Sequence, residues 1–362
     1  MGISRRKFMG SAAAGLVAAS GVAPAFSQSR ARVRWNMPTS WPPRLLLQDS
    51  ATMFAEKLAE LTDGEFQIRV RPAGELVPPL EVFNAVQSGT VECGHSWSGY
   101  LLGTNSALIL DGGIPFGMTA EQHASWIRDG GGAEMLDEVF AEFNVKSFLV
   151  GDIGGQLAGW FNQEINGIDD LRGLRARIAG LSGQMYEPLG VSVQMVPYGE
   201  TYTALERGVI DAVSGGTPTD NVRVGFHEVT RYAYYPGWAA PHSAMSLYVN
   251  RGEWDSLPDD FKAAFESAAV ATHGAHVTHC QNADRESIED IKNGDYDVEF
   301  RPLPEEVMTE LAGIQEDFME RFVDEDPDFA RIYPEWRRFA DGIRDLQDMT
   351  VYPINRHRNE RG

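Results

Sequence analysis

The chain has 362 residues, 43% of them hydrophobic and 23% charged, with 31 Lys and Arg against 52 Asp and Glu and a net charge of −21. That excess of acid excludes nucleic acid or an anionic membrane surface as a partner. Two cysteines, Cys93 and Cys280, are too few for a disulfide scaffold or an iron–sulfur cluster; they either pair in an oxidising compartment or stand as separate buried thiols.

Residues 1–27 carry Arg5, Arg6 and Lys7, then a soft apolar stretch, and end in small residues at Ala25 and Ser27. This is the pattern of an export signal of the twin-arginine type. Gly15 and Gly21 interrupt the stretch, which falls well short of the roughly 20 apolar residues of a membrane span. A soluble mature protein outside the cytoplasm is expected, long enough for two domains or one large one.

From residue 32 strand-like and helix-like segments alternate. RVRWNM (32–37), FQIRV (66–70) and VECGHSW (91–97) read as strands. Between the first two, Phe54, Leu58 and Leu61 recur at helical spacing up to Gly64, and PLEVFNAVQSG reads as a short helix before the third. This rhythm predicts an α/β unit with parallel pairing. Two adjoining helices, TAEQHASWIRDG and AEMLDEVFAEF, lead to NVKSFLVGDIGG, a crossing strand near Gly151. A second α/β unit then covers residues 151–240, with short strands in LAGWF, LRARIAG, VSVQMV and GVIDAV and an amphipathic helix in GETYTALERG that turns Tyr202 and Leu205 inward. SAMSLYVNR resumes strand character, and Pro258 opens a long helix to Gly294 with Phe261, Phe265, Ala268 and Ala269 on one face. Val307, Leu311, Ile314 and Phe318 mark a last helical region, suited to bracing both units or to exchange in a dimer.

Catalytic patterns are poor: G-x-S-x-G, H-E-x-x-H and the Walker glycine-rich motif are all absent. His273, His276 and His279 lie three apart and wind around the long helix, which predicts a solvated patch or a weak metal site instead of catalytic zinc. GIDDLRGLRARIAG (167–180) is more informative. A short helical turn near Asp169 leads into a strand that alternates Arg175 and Arg177 on one face. Either both arginines sit on a solvated edge, or Arg177, nearest the strand's C-terminal end, points into the crevice where open α/β sheets bind ligands. There its planar fork would take a carboxylate with two hydrogen bonds. Aromatic and amide groups cluster where strands end, in SWPP (40–43), HSWSGY (95–100), GGQLAGWF (154–161) and YYPGW (234–238). They suggest a pocket between the units walled by Trp41, Tyr100, Trp160 and Trp238.

Over essentially the whole mature length the chain resembles the extracytoplasmic solute-binding subunits of tripartite ATP-independent periplasmic (TRAP) transporters, most of all the branch for 2-oxo acids, lactate and related monocarboxylates. The resemblance rests on TSWPP, AGELVPPLEVFNAVQSGTVECGHSW, GGQLAGWF, IDDLRGLRARIAGLSGQMYEPLGV, YGETYTALERGVIDAV and EWDSLP. It implies a two-lobed periplasmic-binding-protein fold of α/β class with hinge-crossing strands and long C-terminal helices. Lobe I would hold residues 28–150 and about 241–285, and lobe II residues 151–240 and about 286–362. It also implies a periplasmic location, a small organic acid as ligand, small and large membrane subunits as partners, and no catalysis. A homodimer through the C-terminal helices is a further expectation. A ligand-presenting sensor subunit and, less so, an exported enzyme are the alternatives. By the resemblance Arg177 is the carboxylate-binding arginine, and Gln156 matches a glutamine that helps hold a cation beside the carboxylate. The branch then has Thr-Glu-Trp after Ile-Asp-Ala, where this chain has Val213, Ser214 and Gly215. With that carboxylate missing, the cation is expected to be absent or held differently, and no cofactor is expected. Ser214 and Gly215 would border an enlarged pocket and a solute larger than pyruvate. Ala239 and Ala240 extend the thinning, while His242 would add a polar contact.

Overall fold

The computed structural model describes residues 32–294 and 296–359. The predicted export signal, residues 1–27, lies outside the described residues. Strand β1 (Val33–Pro38) pairs in parallel with β2 (Phe66–Arg71), the Leu46–Leu61 helix connecting them. A parallel bridge from Thr39 to His95 carries this pair to β3 (Cys93–Ser96). β10 (Ala244–Asn250) lies antiparallel between β3 and β4 (Val145–Asp152), so the first sheet is mixed where pure parallel pairing was expected. All seven residues of β10 are buried, as a central strand covered on both faces requires. Its register shifts between Met245 and Ser246, a bulge that turns Met245 toward the cleft described below.

The second sheet has the order β11-β9-β5-β8-β6-β7, built from β5 (Gly159–Phe161), β6 (Arg175–Arg177), β7 (Ser192–Val193), β8 (Ala212–Val213), β9 (Tyr232–Tyr235) and β11 (Glu299–Pro302). β9 ends at YYPGW, where a strand end was expected, whereas β11 carries no such signal and was not expected. β11 gains its place by pairing in parallel with β9, and the Arg301 guanidinium lies 5.2 Å from the Tyr232 ring centroid. The chain passes from the first sheet to the second after β4 and returns ahead of β10.

The Asp259–Asn293 helix has 35 residues and spans both sheets. Its start buries Phe261, Phe265, Ala268 and Ala269. Those residues join Trp35, Phe54 and Phe66 in the core of the first lobe. Near its end, Asp284 accepts the Thr219 N–H at 2.9 Å and the Ser287 hydroxyl bonds the Thr219 hydroxyl at 3.0 Å. Three further bonds join the lobes. The Asp220 carboxylate accepts the Leu46 and Leu47 N–H groups at 2.7 and 3.1 Å, and Arg223 donates to the Arg44 carbonyl at 3.0 Å. The Glu305–Glu325 helix packs on the Gly180–Tyr186 helix, and the Pro327–Met349 helix on the helices Ala120–Asp129 and Gly132–Glu142. Cys93 and Cys280 are both buried and free.

Candidate functional site

β6 and β8 run in parallel and pair Arg177 with Val213, so the segments that follow both strands emerge side by side. This is the edge of an α/β sheet at which ligands bind. Arg175 and Arg177 share one strand face but not one fate. Arg175 is exposed and forks onto Asp211 at 2.9 and 2.6 Å, whereas Arg177 is only 2% exposed.

The guanidinium of Arg177 donates from Nε to the Val196 carbonyl at 2.9 Å, from Nη1 to the Ser214 carbonyl at 3.1 Å and from Nη2 to the Tyr100 hydroxyl at 3.3 Å. It lies 5.7 Å from the Tyr198 ring centroid. Three of the five N–H groups a guanidinium carries are thus satisfied and two remain. Among the described residues no carboxylate pairs with it, and none of the residues lining the cleft is Asp or Glu. Burying a charge without a partner is costly, and nothing in the lining offsets that of Arg177.

The cleft around Arg177 is walled by aromatic rings and small residues. Trp41, Trp97 and Tyr100 from the first lobe face Arg177, Tyr198, Ser214 and Gly215 of the second. Trp97 and Tyr100 meet edge to face at 5.3 Å, and Tyr100 tilts against Trp41 at 6.1 Å. The Trp41 indole donates to His95 Nδ1 at 3.0 Å. Since an indole only donates, the His95 proton sits on Nε2 and faces the Ser50 hydroxyl 2.9 Å away. Burial, with His276 nearby, pushes His95 down to about 3 and keeps it neutral. Gln156 also lines the cleft; its Nε2 donates to Ser243 Oγ at 2.8 Å, which leaves its carbonyl oxygen unused.

The predicted site residues thus divide. Arg177, Gln156, Trp41, Tyr100, Ser214 and Gly215 line one cleft, and Trp160, Trp238 and His242 do not. Trp160, 1% exposed, lies behind the wall and donates to Asn221 Oδ1 at 2.6 Å. Asn221 in turn donates to the Tyr198 hydroxyl and the Gly215 carbonyl, each at 2.8 Å. Trp238 is stacked on Phe116 at 5.3 Å and meets Tyr186 edge-on, so its ring is spent on the core. His242, 2% exposed, bonds Asp152 Oδ2 through Nδ1 at 2.8 Å and packs on the His123 ring at 4.4 Å. The solvated histidine patch is corrected too. His273 and His276 are buried, His276 bonding the Leu46 carbonyl at 2.8 Å, and only His279 is exposed, beside Asp49.

The small residues expected to border an enlarged pocket stand close to neighbouring side chains. Gly215 has φ +121° and a Cβ there would lie 3.0 Å from Arg177 Nη1; Gly216 has φ +72° and a Cβ would overlap the Tyr198 hydroxyl. The guanidinium and the phenol fill the room the side chains leave. Tyr198, Trp97 and Asn221 were missed by sequence reasoning. Trp97 stood in a noticed aromatic cluster, and Tyr198 opens the quoted stretch YGETYTALERGVIDAV but was not singled out there.

A cleft between two α/β lobes, floored by a buried guanidinium and joined by crossing strands, defines a solute-binding protein. Residues 37–325 match the bacterial extracellular solute-binding protein family 7, and the chain belongs to that family. It is 38% identical over 311 residues to the monocarboxylate 2-oxoacid-binding periplasmic protein of Nostoc sp., covering 86% of this chain and 85% of that one. A TRAP transporter solute-binding protein of Bordetella bronchiseptica, described with calcium and picolinate bound, superposes with a TM-score of 0.88 at 35% identity, covering 91% of this chain and 97% of that one. A TRAP periplasmic solute-binding protein of Colwellia psychrerythraea, with calcium and pyruvate, gives 0.87 at 30% identity, covering 90% and 99%. The chain is thus the extracytoplasmic solute receptor of a TRAP system, and among the described residues no helix is long and apolar enough to cross a membrane.

Proposed function

We propose that the protein captures a small monocarboxylic acid in the cleft and delivers it to the small and large membrane subunits of its transporter without converting it. The observation that carries this reading is the buried Arg177 guanidinium with two free N–H groups and no carboxylate beside it. One fixed positive charge matches one carboxylate, held by two parallel hydrogen bonds. Tyr100 and Trp41 of the first lobe cover the acid's carbon side, while Gln156, Ser214 and Gly215 border its polar end. Because Arg177 belongs to one lobe and Tyr100 to the other, an acid between them contacts both only when the lobes meet, and binding draws the equilibrium to the closed form.

The test is a thermal-shift screen of organic acids that includes pyruvate and picolinate. At a hundred times its dissociation constant a true ligand adds about 2.7 kcal/mol of stability. The same acid is expected to give no shift with Arg177→Ala. If that variant kept the full shift, or if the acid were consumed on incubation, this reading would fail. The protein also forms a homodimer through its C-terminal helices in this reading, supported by the exposed Leu346, Met349, Val351 and Ile354. Sedimentation of the whole chain beside a chain ending at residue 344 measures it.

A further inference from the structure

We infer that the cleft binds its organic anion without a companion cation, charge balance being met by Arg177 alone. The inference rests on the organic-acid reading above and departs from the relatives described with calcium beside their ligand. A hard cation takes about six to eight oxygen ligands, carboxylates prominent among them. No residue lining this cleft carries a carboxylate. Two buried acids, Asp220 and Asp152, are committed elsewhere. Asp220 spends both oxygens on the Leu46 and Leu47 N–H groups, and Asp152 spends its own on His242 and the Gly154 N–H.

The backbone offers no substitute. In the segment after β8 the Ser214 carbonyl accepts from Arg177 and the Gly215 carbonyl from Asn221, so both turn toward protein donors. What remains for a cation among the lining side chains is the Gln156 carbonyl oxygen and the hydroxyls of Tyr100, Ser182, Tyr198, Ser214 and Ser243, all neutral. The site also lies beside a guanidinium whose charge no protein carboxylate offsets, and a second positive charge there would be repelled. What the cleft offers an anion is the reverse: the free N–H groups of Arg177 and the Tyr100, Tyr198 and Ser214 hydroxyls, with Gly215 and Gly216 admitting the guanidinium and the phenol to the wall.

The experiment titrates calcium, and separately sodium, into chelator-treated full-length mature protein by calorimetry, alone and with saturating pyruvate or picolinate. No uptake of either ion is expected, and pyruvate or picolinate affinity is expected to stay within about twofold between chelator and calcium buffers. Uptake of one calcium per chain, or a loss of acid affinity of about tenfold or more in chelator, would overturn the inference. Ser214→Glu, which returns a carboxylate to the wall, is expected to make acid binding calcium-dependent; a well-folded variant that takes no calcium would overturn the assignment to this segment. If neither acid binds in any buffer, the organic-acid reading fails on its own while the ion titrations still decide this one.

Discussion

Two regions of the molecule bury a charge, and they treat it in opposite ways. At the lobe crossing, Asp152 is fully buried; burial alone would raise its carboxyl, yet the His242 contact and the Gly154 N–H outweigh burial and hold it below the usual carboxylate range. In the cleft, Arg177 is equally buried but is met only by carbonyls and a hydroxyl. The first charge is answered inside the protein and belongs to the scaffold. The second is answered by nothing in the lining, and the proposed ligand site rests on that difference. His242 reads as a ligand contact in the sequence because its partner, 90 positions earlier, is invisible there.

The comparison is broken most severely at Asp152. Asp152→Ala leaves His242 and the Gly154 N–H buried without their acceptor, and a stability loss of about 3–5 kcal/mol is expected, read from urea unfolding. Arg177→Met should act in the other sense. Acid affinity is expected to fall by about 2–5 kcal/mol, measured by calorimetry, while the ligand-free protein keeps its stability or gains some, since an uncompensated buried charge is replaced by an apolar side chain of similar length. A ligand-free Arg177→Met that unfolded as readily as Asp152→Ala would show that Arg177 is scaffold after all. Gly216→Ala is a smaller probe. It forces a left-handed φ of +72° on alanine and overlaps Tyr198, which should cost about 1–3 kcal/mol of stability and loosen the wall behind Arg177.

Much of this was legible in the sequence, and the limits are physical. Periodicity located most strands and the long helix, because burial on one or both faces imprints a pattern on adjacent residues. It could not reveal that β10 pairs antiparallel, since both pairings bury the same side chains, nor β11, whose four residues gain stability only beside β9. The strand position of Arg177 left two readings open, a solvated edge or the cleft, and its 2% exposure decides for the cleft. The error at Trp160, Trp238 and His242 has one source. Large aromatics and histidines occur in cores and pockets alike, and only partners distant in sequence, Asn221, Phe116 and Asp152, decide which. The glycines at 215 and 216 read as empty space because a sequence records the missing side chain but not the neighbour that moves into its room.

The last expected effect, read in half-unit pH steps, concerns Asp220, a carboxyl that binds the two lobes together. Burial pushes it up to about 7, and the Leu46 and Leu47 N–H groups and Arg223 pull it back only in part. The ordinary value for an unfolded aspartate is about 3.9, so between the two values the folded state holds more protons than the unfolded one. Stability from this group is therefore greatest at the acid end of the window and declines as pH rises from about 4 to 7, by at most about 1.4 kcal/mol per unit. The buried histidines oppose it. His95 at about 3 and His273 at about 4, both lowered by burial, stay neutral in the fold and withdraw stability as pH falls below about 6.5. Wild type alone mixes the two signs, and Asp220→Asn separates them. The variant loses one acceptor for the Leu46–Leu61 helix at every pH, but it no longer titrates. The stability difference between wild type and Asp220→Asn, from urea midpoints at half-unit intervals, is expected to shrink steadily from pH 5 to 7. A difference that stayed flat would mean that Asp220 ionises as an ordinary carboxylate, and that the helix N–H groups, like His242 beside Asp152, fully offset the cost of burying it.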